Sequence, residues 1–426
     1  APSVAFASFA RLPRLKPPQD GHLHCADAHL CVSHPAKPKK IGQGWKPAAH
    51  WSSMKITQRI VGLTSVLAVV LTGCSTPSNE ASPSSSPSVS HTPVPLPTWP
   101  LTGVASKNAS KTKPVLVIKV ENDPGVRPQS GLDKADMVFE ELVEGGITRF
   151  ATVFQSQFPK ELGPVRSVRH VDASIASPMA DFFVFSGGAR PTISYIKQNV
   201  GKGIYILTEG APGMHRTNYH YAPHNLFLYP QTLITQSKKT STPTDGFFVR
   251  EAKAALTETP APGPAYTGES TSPSAAPKPK GEPKPISGVN LRFSGSEQPR
   301  WSWSTKLKSW VRSEFGTPSF AKSGARISAK NIVIIRTQTT DAGYRDPAGN
   351  FVPRTILTGT GTGYVLTRGL QMPITWSKSD VHSQMTLKNL QGKVVTLFPG
   401  NVWVELVPIN DGQVTFVKRA KVKKLK

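Results

Sequence analysis

Two stretches of this 426-residue chain hold too little apolar surface to fold, and they decide how the rest can be divided. The first, Ser75 to about Lys113, is dominated by Ser, Pro and Thr. The second, Thr257 to Gly288, is rich in Pro, Ser and Lys. Segments of this kind cannot bury enough surface to offset the ordering of the chain, so they read as an extended tether and as a linker or surface insertion. Between and after them lie two segments with regular apolar patterning, about the right amount of chain for two cores. The resulting division is an upstream segment 1–53, a signal-like segment 54–73, a tether 74–113, an N-terminal domain 114–252, a linker 253–288, a C-terminal domain 289–417 and a basic tail 418–426.

The stretch Met54 to Cys74, "MKITQRIVGLTSVLAVVLTGC", has a basic head (Lys55, Arg59), an uncharged run from Ile60 to Leu71, and small residues before Cys74. That is the anatomy of a secretory signal, and the apolar run is short for a membrane-crossing helix. Leu71-Thr72-Gly73-Cys74 resembles the lipobox of bacterial lipoproteins, which makes Cys74 the expected lipidation site and mature N-terminus. Residues 1–53 are then expected to lie upstream of the native start. Their "HLHCADAHLCVSH" cluster matches no closed four-ligand zinc frame. Of the three cysteines only Cys74 would survive processing, so disulfides and cysteine-based metal sites are excluded from the mature protein.

In the N-terminal segment, Val115–Val120 reads as a buried strand, and "DMVFEELVEGGITRFATVFQ" as a hairpin about Gly145-Gly146, although its first half also fits a helix. Val168, Val171, Ile175 and Met179 recur at helical spacing, "DFFVF" reads as a strand, and "SGGARPTISYIKQNV" as a glycine turn entering a helix with Pro191 in its first turn. From Val289 onward, short apolar runs alternate with Gly, Pro, Asn and Asp. The expected fold class is therefore α+β: an N-terminal mixed α/β domain with a C-terminal, mostly antiparallel β domain.

Formal net charge is +25, and +18 once residues 1–73, with nine Lys/Arg and two Asp/Glu, are removed. Such a surplus favours anionic partners. Outside the cytoplasm these are anionic headgroups and phosphate-bearing wall polymers, and the basic tail "KRAKVKKLK" offers a membrane-surface contact or a solvated end. Aromatic residues do not interleave with the basic ones as stacking platforms would, so no nucleic acid is expected. Three loops concentrate groups suited to an anion. They are "GPVRSVRH" (Arg166, Arg169), "FSGGAR" (Ser186, Gly187, Gly188) and "HRTNYHYAPHN" (Arg216, His224, Asn225). Converged, they form a basic pocket. The alternative is that the arginines pair with Glu140, Glu141 and Glu144 and hold the loops together.

The runs "ENDPGVRPQSGLDKADMVFEELVEGGITRF", "GPVRSVR" and "APHN" resemble the YerB-like lipoprotein family, domain of unknown function 3048, across about Trp99 to Asp411. The resemblance carries over onto Arg127, Pro128, Gly131, Asp136, Glu140, Glu144, Gly145, Gly146, Arg149, Gly163, Pro164, Arg166, Arg169, Gly187, Gly188, Arg216, His224 and Asn225. It implies a lipobox signal, a mixed α/β domain and a β-rich one, and no established activity. Phe185-Ser186 stands where some relatives have a histidine, and "GTPSF" (Gly316–Phe320) lacks the His and acidic residue sought there.

Two functions follow. One is a lipid-anchored lipoprotein on the extracytoplasmic face of the cell membrane, its basic cleft binding an anionic envelope component or a protein partner. The other is an enzyme on phosphate-linked envelope polymers, with Arg166 and Arg169 offsetting phosphoryl charge and Glu140, Glu144 or His224 as acid or base. Binding is the preferred reading. No metal or cofactor is expected, since "GTGTG" at Gly359–Gly363 lacks the Lys of a phosphate loop and no Ser-His-Asp or zinc pattern stands in a fitting context.

Overall fold

The run Val115–Val120 becomes strand β1 (Leu116–Glu121), and every one of its residues is buried. A strand buried on both faces needs neighbours at its edges and cover above and below, and the rest of the chain supplies both. The computed structural model describes residues 95–237, 239, 241–249 and 282–419. Cys74, the signal-like stretch and residues 1–53 lie outside the described residues, as do most of the linker and of the basic tail. Trp99 and Leu101, placed by composition in the tether, are buried.

Strands β2 (Met137–Leu142) and β3 (Thr148–Phe154) form the hairpin about Glu144–Gly146, where Gly145 and Gly146 take left-handed φ values of 70° and 73°. β3 pairs antiparallel with both β2 and β1. Then follow helix α1 (Val171–Ala176), strand β4 (Phe182–Val184), helix α2 (Arg190–Asn199) and strand β5 (Tyr205–Leu207), with β4 parallel to both β1 and β5. A small hairpin, β6 (Met214–Arg216) with β7 (Leu226–Leu228), leads into α3 (Pro230–Ser237).

The second half is strand throughout. β8 (Lys284–Arg292), β9 (Pro299–Ser304) and β10 (Ser309–Glu314) form an antiparallel meander, extended by the two-residue strands β11 (Thr317–Pro318) and β12 (Ser328–Ala329). β13 (Asn331–Thr337) precedes the separate hairpin β14 (Thr339–Arg345) and β15 (Phe351–Thr355). β16 (Gly359–Thr367), β17 (Leu370–Lys378), β18 (Thr386–Lys388), β19 (Val402–Pro408) and β20 (Gln413–Lys418) complete the chain.

β19 lies between β13 and β2 and is parallel to both. It thereby joins strands of both halves into one mixed sheet in the order β11-β10-β9-β8-β17-β16-β13-β19-β2-β3-β1-β4-β5. Side chains alternate across its central strands. One face, with Val117, Met137, Phe139, Val153 and Val404, packs with Val171 and Ile175 of α1 and Ile196 of α2. The other, with Leu116, Ile118, Phe150, Trp403 and Ile334, packs with Val289, Leu291, Trp301 and Trp310 of the meander.

The α+β expectation is overturned. Among the described residues twenty strands stand against three α-helices of six, ten and eight residues, and the fold is mostly β. The helical spacing at Val168–Met179 yields only the six residues of α1, all buried as sheet cover. The first half is no self-contained α/β layer, because its strand β2 pairs in parallel with β19 from the second half. No described helix is long and apolar enough to cross a membrane.

A fragment ending at residue 249 would leave β2, buried along most of its length, with an open edge. Such a fragment is expected to lose the cooperative denaturant transition of the whole chain. A sharp two-state transition in the fragment would contradict the role given to β19.

Candidate functional site

Strand parity sorts the charged residues of β1, β2 and β3 onto the two faces of the sheet. Lys119, Glu121, Glu141 and Arg149 face the helices, whereas Glu140 faces the meander.

On the helix side, register sets Arg149 directly opposite Glu121 on one neighbouring strand and Glu141 on the other. Both carboxylates are bound elsewhere. Glu141 pairs with buried Lys119, whose Nζ also lies 2.9 Å from Asp172. Burial pulls Lys119 down to about 8, against the opposing pull of Asp172. Glu121 holds Arg166 Nε at 2.8 Å through one oxygen and His224 Nδ1 at 2.9 Å through the other. The Arg166 contact is an ion pair without hydrogen-bond alignment. Arg169 turns to Glu144, with Nε at 3.2 Å, and gives Nη1 to the Val168 carbonyl at 2.7 Å. Asp172 accepts the Arg169 backbone N–H at 2.7 Å, which fixes the entry into α1.

Arg149 is left over. Its Nη1 reaches only the Ser167 carbonyl at 3.3 Å, its Nε has no partner, and it makes no ion pair among the described residues. Burial, then the cations Arg169 and Arg166, push its guanidinium down to about 9. Next to Arg169 in sequence, His170 is largely buried, with Nδ1 unpartnered and its ring 4.9 Å from that of Tyr195. Burial, Arg354 and Arg169 hold His170 below the ordinary histidine range.

The three loops named from the sequence come together in part. The Ser186 N–H donates to the Arg166 carbonyl at 3.0 Å, and the Val168 N–H to the Gly187 carbonyl at 3.0 Å. Gly187, at φ 150°, would meet nothing within 4 Å if it carried a Cβ, whereas Gly188 packs against Val168. His224 joins through Glu121. Arg216 and Asn225 bond to each other at 2.6 Å, and Arg216 forks onto Glu209 with two contacts of 2.7 Å. Glu144 lies with the arginines through Arg169. Glu140 does not, because the sheet separates it from them.

On the meander side Glu140 accepts from Arg312 Nη2 through both oxygens, at 2.9 and 3.0 Å, and from Thr148 at 2.8 Å. Arg312 also pairs with Glu314, and Arg127 Nη2 lies 3.0 Å from each oxygen of Glu297. Glu140, Glu297 and Glu314 are close enough to be metal ligands. Two guanidinium groups already occupy the space a cation would take, so this set does not fit a metal. Burial, the hydrogen bond to Glu314 and the charge of Glu140 push Glu297 up to about 10, and burial puts Glu405 well above the carboxylate range. Glu314, despite its burial, is held below that range by Arg312.

Sequence reasoning named Arg149 only through family resemblance and passed over Glu121, Lys119 and Asp172. Polar residues at alternate positions of an otherwise apolar strand, as in "VLVIKVE", were the available signal.

Residues 101–243 match the family described as protein of unknown function (DUF3048), N-terminal domain, and residues 289–404 its C-terminal domain. Over 129 residues the chain is 36% identical to "Putative lipoprotein YerB" of Bacillus subtilis (strain 168), covering 30% of this chain and 39% of that protein. The matched region thus spans about two fifths of that relative. The crystal structure of YerB protein from Bacillus subtilis shares the fold, with TM-score 0.58 and 21% identity over 75% of this chain and 99% of the other.

Glu297 binds its proton in the fold and releases it on unfolding above the ordinary 4.5, so its contribution is whole below 4.5 and fades as pH climbs towards about 10. Glu297→Gln mimics the protonated acid and cannot titrate. Relative to wild type the variant is expected to gain up to about 1.4 kcal/mol per pH unit inside that window. Urea unfolding at successive pH values measures this, and parallel pH profiles would contradict it.

Proposed function

Because the chain belongs to the DUF3048 family of proteins of unknown function, we propose its role from its own geometry: it is a lipid-anchored lipoprotein of the extracytoplasmic membrane face that binds an anionic envelope component. The site is the helix-side cluster of Arg149, Arg166 and Arg169, with Ser186, Gly187, Gly188 and His224 beside it.

The observation that carries this reading is Arg149, a buried guanidinium that makes no close ion pair among the described residues and whose Nε has no partner, although the charges of Glu144 and Glu121 reach it. Burial of a cation that no carboxylate pairs with closely is costly, and an anionic ligand would lower that cost. A phosphate or carboxylate oxygen placed there would meet the idle Nε–H of Arg149, with Arg166 and Arg169 close by, and a Cβ at Gly187 would meet nothing within 4 Å. A phosphate-bearing wall polymer or a lipid headgroup has this chemistry, and the charge of +18 left after residues 1–73 are removed favours its approach.

Anchoring rests on the Leu71–Cys74 quartet together with the lipoprotein name of the relative. Mass spectrometry of the natural protein is expected to find an N-terminal peptide starting at acylated Cys74. Recovery of an intact, unacylated chain would refute the anchor.

For the cluster, pyrophosphate is the probe. Wild type is expected to bind it, with affinity falling as salt rises. Arg149→Met keeps the bulk, removes the charge, and is expected to weaken binding at least tenfold while raising unfolding stability by about 1–2 kcal/mol. Pyrophosphate binding left unchanged in the variant, or absent from wild type, would reject the site.

A further inference from the structure

The meander side of the sheet carries a cleft of about 480 Å³, inside the range of roughly 300–1,000 Å³ usual for ligand pockets. Its wall is assembled from segments far apart in sequence. The Asn122–Leu132 loop brings Arg127, β10 brings Arg312 and Glu314, the loop after it brings Phe315 and Phe320, and β19 brings Trp403.

We propose that this cleft is a second binding site, separate from the anion site, and that it takes a neutral saccharide. Two features of the wall select that class. The first is charge already spent: the Arg127 guanidinium lies 3.4 Å from the Glu314 carboxylate besides bonding both oxygens of Glu297, and the Arg312 guanidinium pairs with Glu314 and grips both oxygens of Glu140. An ionic ligand would have to break one of these pairs, whereas hydroxyl groups add to them. The Arg312 Nε–H is free of any partner although its residue is only 2% exposed, and Glu314 in the same wall accepts hydrogen bonds as a carboxylate.

The second feature is aromatic surface at the mouth. Phe315 is 59% exposed and Phe320 46% exposed, while Trp403 and Phe150 line the cleft as buried rings. Phe315 also sits at φ 45° in the turn between β10 and β11, a conformation that Asn or Gly takes more readily. The backbone thus holds a bulky ring in the open at some conformational cost. Flat aromatic faces beside paired carboxylate and guanidinium groups match a sugar ring, which presents C–H faces to the first and hydroxyls to the second.

Chitotetraose and maltotetraose, titrated separately into the purified full chain by calorimetry, test this. At least one is expected to bind saturably, with an affinity the same at about 0.1 and 0.5 M salt because the ligand is uncharged. Phe315→Asn, which suits the turn, combined with Phe320→Ser is expected to weaken that binding at least tenfold and to leave pyrophosphate binding as in wild type. Lack of binding by either tetrasaccharide at about 10 mM, or binding undiminished in the double variant, would overturn the site. Loss of pyrophosphate binding together with saccharide binding would also overturn it, by showing that the two sites are not separate.

Discussion

The parallel pairing of β19 with β2 and β13 is the constraint on which the rest of the molecule depends. β2 has both faces buried along most of its length, and without β19 one edge of its backbone would stay unpaired inside apolar surroundings. The pairing also brings Trp403 within 3.3 Å of Glu140 and sets Glu405 opposite Glu140 in register. The polar cluster under the meander therefore exists only because the two halves share a sheet. Trp403 in turn walls the cleft, so the same strand that closes the sheet also shapes the cavity beneath it.

Electrostatics divide along the same plane. Towards the helices, each of Glu121, Glu141, Glu144 and Asp172 is held by a cation, while Arg149 makes no close ion pair among the described residues and feels Glu144 and Glu121 only at longer range. Towards the meander the balance is reversed, since carboxyl groups outnumber guanidinium groups, and burial and the neighbouring carboxylates raise the proton affinity of Glu297 and Glu405. The two faces consequently suit ligands of different charge.

Much of the local architecture was legible. Alternating or continuous apolar runs gave β1, the Gly145-Gly146 hairpin, and the many short strands after Val289. The turn-plus-proline pattern gave α2, which starts at Arg190 with Pro191 behind it. The balance of the first half was not legible, because helical spacing at Val168–Met179 describes any buried surface segment that touches a sheet at intervals, and only six residues there are helical. The face assignments of Glu140 and Glu141 follow from strand parity, which a stretch equally readable as helix could not supply. That Arg166 and Arg169 would be matched by Glu121 and Glu144, with Arg149 left over, depends on three-dimensional competition among neighbours. No spacing encodes that.

The central position of β19 also governs the order in which this chain can become itself. Trp403 and Glu140 touch across 263 residues of sequence, so the middle of the sheet stays open until nearly everything described here has been made. Contacts of such long range close slowly, and until then β2 presents a sticky, unpaired margin to its surroundings. An unpaired edge of this kind is a template for pairing with another chain, so closure by β19 also removes a route to association between incomplete copies.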